Sequence, residues 1–217
     1  EEAKAEKPYQ NWVILYPTQK GDLEMLKKLL RPKRELSLAT VSVLNYLLMP
    51  PKGKKLPLCR SVLVEDAYFD QDFSDSISAF YSKGFRDIDK ICKRLHFFSR
   101  KIKPSDVTEF GALKELNDSY LGFCIIRPLE MKKLGRSVIK PRRENLEVEF
   151  PTCCGRSHTN IAGEDLFVDS APFMEQDGRV QTCSSAAIWV STTVMAHCFD
   201  LPKYTTSEIM DKATRDR

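Results

Sequence analysis

"VQTCSSAAIWVSTTVMAHCF" (Val180 to Phe199) decides the fold, because here a chain that reads mostly as strands from Tyr120 onward returns to a long helix. Ala186, Ala187, Val190 and Val194 recur at helical spacing up to Phe199. Thr182, Ser184 and Ser185 are residue types suited to a helix start, and Cys183 stands among them. A helix N-terminus stabilises a thiolate through its dipole and its unpaired amide donors, so a cysteine placed there can become a nucleophile. The competing reading is a packing thiol, since free cysteine is among the most buried residue types.

Seven positions upstream, Gln176 lies in a loop that contains Gly178. Its carboxamide can point a donor at the oxyanion that forms when a thiolate attacks a carbonyl, and Gln181 is the rival for that role. A glutamine shortly before a cysteine that opens a long core helix, with Trp189 nearby, resembles the papain-like cysteine peptidase superfamily, closest in texture to bacterial proteins of the bacteriocin-processing type. The resemblance covers Pro172 to His197. It implies a hydrolase of amide or ester carbonyls with Cys183 as nucleophile, Gln176 in the oxyanion hole, and a protein or peptide as substrate.

The family takes its base from a histidine that follows the cysteine, on a strand of a second lobe, and only His197 follows Cys183 in this chain. Fourteen residues on one helix span about 21 Å, which excludes His197 as the base. His158 precedes the cysteine and could serve as base only in a rearranged or circularly permuted chain order. The resemblance therefore leads to the expectation that residues 119–217 are a papain-like segment incomplete at its C-terminus, with the base beyond Arg217.

The remainder sets the fold class as α+β: a mixed α/β region over residues 1–118, then strands, then the long core helix led by Cys183, as in the helical half of a papain-like fold. "NWVILYP" reads as a short strand, and "KGDLEMLKKLL" as a helix with Asp22 as candidate cap. "ELSLATVSVLNYLL" is a second helix that stops at Pro50 and Pro51. "RSVLVED" is a strand, and "FSDSISAFYSKGF" and "RDIDKICKRLHFFSRK" follow as helical patterns, the latter with Ile88, Ile91, Cys92 and Leu95 on one face. "YLGFCIIRP", "RSVIKP" after a turn at Gly135, "NLEVEF" and "LFVD" read as strands. "TSEIMDKAT" opens a last helix with capping-box spacing.

Bulk properties exclude several classes. The net charge of +4 is dispersed over 34 basic and 30 acidic side chains, unlike the concentrated basic stripe of a nucleic-acid binder. The basic run "KKLGRSVIKPRR" (Lys132 to Arg143) has no interleaved aromatic for base stacking and reads as a solvated surface. "VSVLNYLLM" is far shorter than a membrane span of about 20 residues, so no membrane is expected. Seven cysteines without framework spacing read as free thiols in a reducing compartment, hence a cytoplasmic protein.

The pairs Cys153, Cys154 with His158, and Cys92 with His96, fall short of a zinc ligand set, and the glycines form no phosphate loop, so neither metal nor cofactor is expected. Against the thiol hydrolase stands one alternative from a different class. It is a non-catalytic interaction or scaffold module with the basic 132–143 stretch as docking surface and weak nucleic-acid contact through it. The two differ at Cys183, which an enzyme needs exposed and a scaffold can bury. The oligomeric state is not encoded in these patterns.

Overall fold

The computed structural model describes residues 12–31, 37–80, 88–109, 111–130, 132–141, 155–176 and 183–215. The chain is α+β. Strands β1 (Trp12–Leu15), β2 (Ser61–Phe69), β3 (Ile91–Phe98), β4 (Tyr120–Ile126) and β5 (Leu134–Ile139) make a five-stranded antiparallel sheet in sequential order. Alternation then gives the sheet two buried faces. Helices α1 (Lys20–Leu30) and α2 (Leu38–Leu48) cover one face, packing Leu26, Leu30, Val43 and Leu47 on Val62, Val64, Leu95 and Phe97.

The other face carries Leu63, Phe98, Phe123, Ile125 and Val138. It is covered by α3 (Gln71–Ala79), by a 3-10 turn over Lys114–Ser119, and by the hairpin of β6 (Gly155–Ile161) and β7 (Glu164–Ser170). In the hairpin Ser157, Thr159, Ile161, Leu166 and Val168 point inward while Arg156, His158, Phe167 and Asp169 point out. Ala162 and Gly163, both at positive φ, form its two-residue turn. A short α4 (Pro104–Thr108) joins β3 to the 3-10 turn. Two further helices follow among the described residues: α5 (Cys183–Phe199) packs on β6, and α6 (Thr206–Thr214) packs on α3 and α5.

One glycine sets the register of the central strands. The pairing shifts between Phe97 and Phe98, so that Gly122 at φ 115° follows the extra residue Leu121. The bulge lets Leu121 face α1 and α2 while its neighbours Tyr120 and Phe123 face the opposite core. A side chain at position 122 would sit 2.0 Å from the Val138 carbonyl oxygen.

Several expectations are corrected. "ICKRLHFF" is strand β3 and not a helix, so Cys92 and Leu95 lie on opposite faces of the sheet. Pairing on both sides by β2 and β4 overrides the local spacing. Gly135 lies inside β5 rather than at a turn. Asp22 is not the cap of α1, where Gln19 is; it reaches back instead to the Tyr16 N–H at 2.8 Å. Ala187 is exposed, whereas Ala186 and Val194 are buried. The division at residue 118/119 falls within the large sheet, because β4 pairs with β3. "NLEVEF", Cys153, Cys154, Gln181 and the tail before Trp12 lie outside the described residues.

Candidate active site

Two independent supports bring Gln176 and Cys183 together. The first is an extended segment that runs beside β5 and continues its edge. Phe173 exchanges both backbone hydrogen bonds with Ser137 at 2.8 Å, and the Glu175 N–H donates to the Leu134 carbonyl at 3.0 Å. Glu175, buried, accepts from the Leu134 N–H through Oε2 at 3.2 Å, and its carbonyl accepts from Arg127 at 2.9 Å. Gln176 follows directly and is exposed. The second support is α5, whose buried side holds Ser185, Ala186, Trp189, Thr193, Val194 and Ala196. Small residues at its head let the helix approach closely, and Trp189, 2% exposed, anchors its middle.

Cys183 is the first residue of α5 and its side chain is exposed. The thiol donates to Gln176 Oε1 at 3.1 Å. A half-turn of that carboxamide presents Nε2 in place of the oxygen, which is the donor an oxyanion requires. The Cys183 backbone N–H belongs to the first turn of the helix, whose amides have no partner within it.

None of the three histidines stands beside this pair. His197 lies on the same continuous helix, about 21 Å along it at 1.5 Å per residue. It packs against the start of β6 so closely that a side chain at Gly155 would meet its Cβ at 2.5 Å. Burial pushes its pKa below the usual histidine value, with the charges of Lys203, His158 and Arg136 adding to the effect. His158 is exposed on β6 against the Phe167 ring, three residues after Gly155, where β6 meets His197 at the far end of α5 from Cys183.

His96 is fully buried. Its Nε2 lies 2.9 Å from Glu65 Oε2 and its Nδ1 2.9 Å from the Tyr120 hydroxyl. Burial lowers its pKa to about 4. At neutral pH the imidazole is therefore uncharged, donating to Glu65 through Nε2 and accepting from Tyr120 at Nδ1. For Glu65, burial acts to raise the pKa, but the hydrogen bonds from His96 and Arg94 outweigh it and hold the carboxyl at about 2. Arg94 continues to the hairpin, donating to Thr159 Oγ1 at 2.9 Å and the Asn160 carbonyl at 2.7 Å, with Tyr68 against its guanidinium. With both ring nitrogens engaged and no exposed edge, His96 ties β3 to β2 and β4 within the sheet, Arg94 makes the link to the hairpin, and the imidazole does not face a substrate.

The described thiols divide sharply. Cys59, Cys92 and Cys124 are buried, and burial pushes each up to about 12. Cys183 and Cys198 are exposed at opposite ends of α5. The basic stretch is partly absorbed internally: Arg136 is 3.4 Å from Asp70 and 3.3 Å from the Tyr68 hydroxyl, and Lys132 is 3.9 Å from Glu175. Among the described residues no three of His, Cys, Asp and Glu gather as metal ligands, and no helix is long and apolar enough to cross a membrane.

The Glu65–His96 clamp, unlike the Gln176–Cys183 pair, escapes sequence reasoning once β3 is read as a helix; strand alternation across "CKRLHF" is the signal that reveals it. Compared with protein-family models, with curated proteins and with solved structures, the chain shows no match.

Proposed function

We propose that this chain carries the nucleophile and oxyanion half of a papain-like cysteine hydrolase site acting on amide bonds of a peptide or protein. The observation that carries the reading is the contact of 3.1 Å between Gln176 and an exposed Cys183 at the head of a 17-residue helix. In the proposed reaction the Cys183 thiolate attacks the substrate carbonyl carbon. The resulting oxyanion is held by Gln176 Nε2 and the Cys183 N–H, and the amine leaves with a proton as the acyl-enzyme forms. Water then attacks the thioester and releases the acid and the free thiol. The base that accepts the thiol proton is none of the three histidines where they stand, so it reaches the site from outside the described residues. Free, deeply buried thiols fit a reducing compartment, and a cytoplasmic location is proposed on that ground.

A second reading has one observation of its own. Between Cys183 and Phe199 there is no Lys, Arg, Asp or Glu, and the outward side of α5 leaves Ile188, Met195 and Phe199 exposed. An outward helix face of this kind suits a docking module that has no use for a reactive thiol.

Iodoacetamide labelling at pH 7, resolved by residue, separates the two. A hydrolase site labels Cys183 at least tenfold faster than Cys198, which is also exposed, and Gln176→Ala changes the Cys183 rate alone. Equal rates for the two thiols, unaffected by Gln176→Ala, leave the docking module.

A further inference from the structure

One carboxylate joins three helices. Asp72, in the first turn of α3, accepts hydrogen bonds from the Trp189 side chain of α5 and from the backbone N–H of Thr206, the first residue of α6. Both donors are buried, Thr206 completely. Asp72 Oδ1 and Thr206 Oγ1 are also shut off from water, and neither has a hydrogen-bond partner. Charged groups surround the junction: Asp75 of α3 and Glu208 and Asp211 of α6 line the open groove between those two helices. Asp70, the buried N-cap of α3, accepts from the Phe73 N–H at 3.0 Å. Arg136 of β5 stands 3.4 Å from Asp70. Glu208 on the first turn of α6 is committed to its own helix cap, accepting from the Thr205 N–H at 2.8 Å. The charges that act on Asp72 itself are Asp70, which raises its pKa, and Arg136, which lowers it.

We propose that Asp72 is a protonation-controlled latch that holds α6, and with it Trp189 of α5, against α3. With Asp72 neutral the junction closes without placing a second negative charge beside Asp70. Ionisation buries that charge with one oxygen unmatched, and separation of α6 from α3 becomes the way to return it to water. The latch does not rest on the hydrolase reading, although α5 presents Cys183 at its head, six residues before Trp189.

The direction of the pH effect follows from the two states. In the closed junction burial, and then the charge of Asp70, raise the Asp72 pKa from 3.8 to about 6, against the opposing influence of Arg136, the Thr206 N–H and Trp189. Opened to water, the group returns to its ordinary value. The closed form therefore binds the proton more tightly, and opening becomes easier as pH rises from about 4 to about 6, by as much as about 100-fold. Above that range the opening equilibrium is level.

Amide hydrogen exchange tests this directly. Protection factors for Ile209 to Thr214, normalised for intrinsic exchange, are expected to fall more than tenfold between pH 4.5 and 7.5. Asp72→Asn keeps an acceptor oxygen and removes the titration, so its protection is expected to be flat with pH while its circular dichroism matches the parent. A second readout is Trp189 emission in a Trp12→Phe background, which is expected to titrate near pH 6 and to lose that transition in Asp72→Asn. A pH dependence that survives Asp72→Asn, or level protection of α6 in the parent chain over the whole range, overturns the proposal.

Discussion

The Cys183 thiol and the Gln176 carboxamide meet at 3.1 Å although each is held by a different layer, the cysteine by the helix packed on the hairpin and the glutamine by the edge of the large sheet. The pair reports on how well those layers are docked. Replacing Glu175 by Ala leaves Cys183 and Gln176 in the chain but removes the side chain that accepts from the Leu134 N–H. Labelling of Cys183 in Glu175→Ala is expected to approach the rate in Gln176→Ala, as measured by residue-resolved mass spectrometry.

If the proposed chemistry holds, Cys183→Ser abolishes hydrolysis of an activated peptidyl ester, and Gln176→Ala lowers kcat/KM by about 100-fold through loss of one oxyanion donor. Substrate binding, read by equilibrium titration on the Cys183→Ser protein, is expected to change less than threefold on adding Gln176→Ala.

Thiol accessibility gives a test independent of catalysis. In the native protein Cys59, Cys92 and Cys124 are expected to resist alkylation at pH 8, since burial both shields them and holds them as thiols. All three label on unfolding in guanidinium. Labelling of any of them in the native state at the rate of Cys198 contradicts the packing described here.

The buried Glu65–His96 pair makes the fold sensitive to acid. His96 is lowered to about 4, so the unfolded chain takes up its proton near pH 6.5 while the folded chain does not, and stability falls from there down to about pH 4. Glu65 is lowered to about 2, so its contribution is present above its unfolded value near 4.5 and is lost as pH falls toward 2. Asp72 acts with the opposite sign and partly offsets this loss between pH 6 and 4. Glu65→Gln leaves Arg94 buried without a carboxylate and is expected to cost about 3–5 kcal/mol in denaturant unfolding at pH 7.

Asp70→Asn separates the latch from its neighbour. Asparagine serves well as an N-cap, so α3 keeps its start while the charge that raises Asp72 disappears. The midpoint of α6 protection against pH is expected to move below 6, toward the ordinary carboxylate range. An unchanged midpoint contradicts the assignment of Asp70 as a cause.

Much of this arrangement is legible in the residues and some of it is not, for physical reasons. Helix α5 begins at Cys183 and ends at Phe199, where the small-residue start and the apolar recurrence set its limits. Helix α6 shows its capping box, with Thr205 and Glu208 satisfying each other's backbone donors. Strand β3 misleads because two of its inward positions are Arg94 and His96, which are buried only by virtue of Glu65 on the adjacent strand. A pattern that scores such residues as solvent-facing finds a helical stripe instead. Strand β6 is hidden for a related reason: its inward residues Gly155, Ser157 and Thr159 are small or polar, so alternation carries little hydrophobic contrast. The Asp72 junction joins α3 to two helices that lie more than a hundred residues further along the chain and has no local signature.

The exchange of hydrogen bonds between Phe173 and Ser137 has an outcome beyond positioning. It occupies backbone donors and acceptors on the outer rim of β5, where an added strand from another polypeptide would otherwise dock. A strand that displaced residues 173–175 from that rim would carry Gln176 away from Cys183. Sheet extension on that side and an assembled Cys183–Gln176 pair are therefore mutually exclusive states of this molecule.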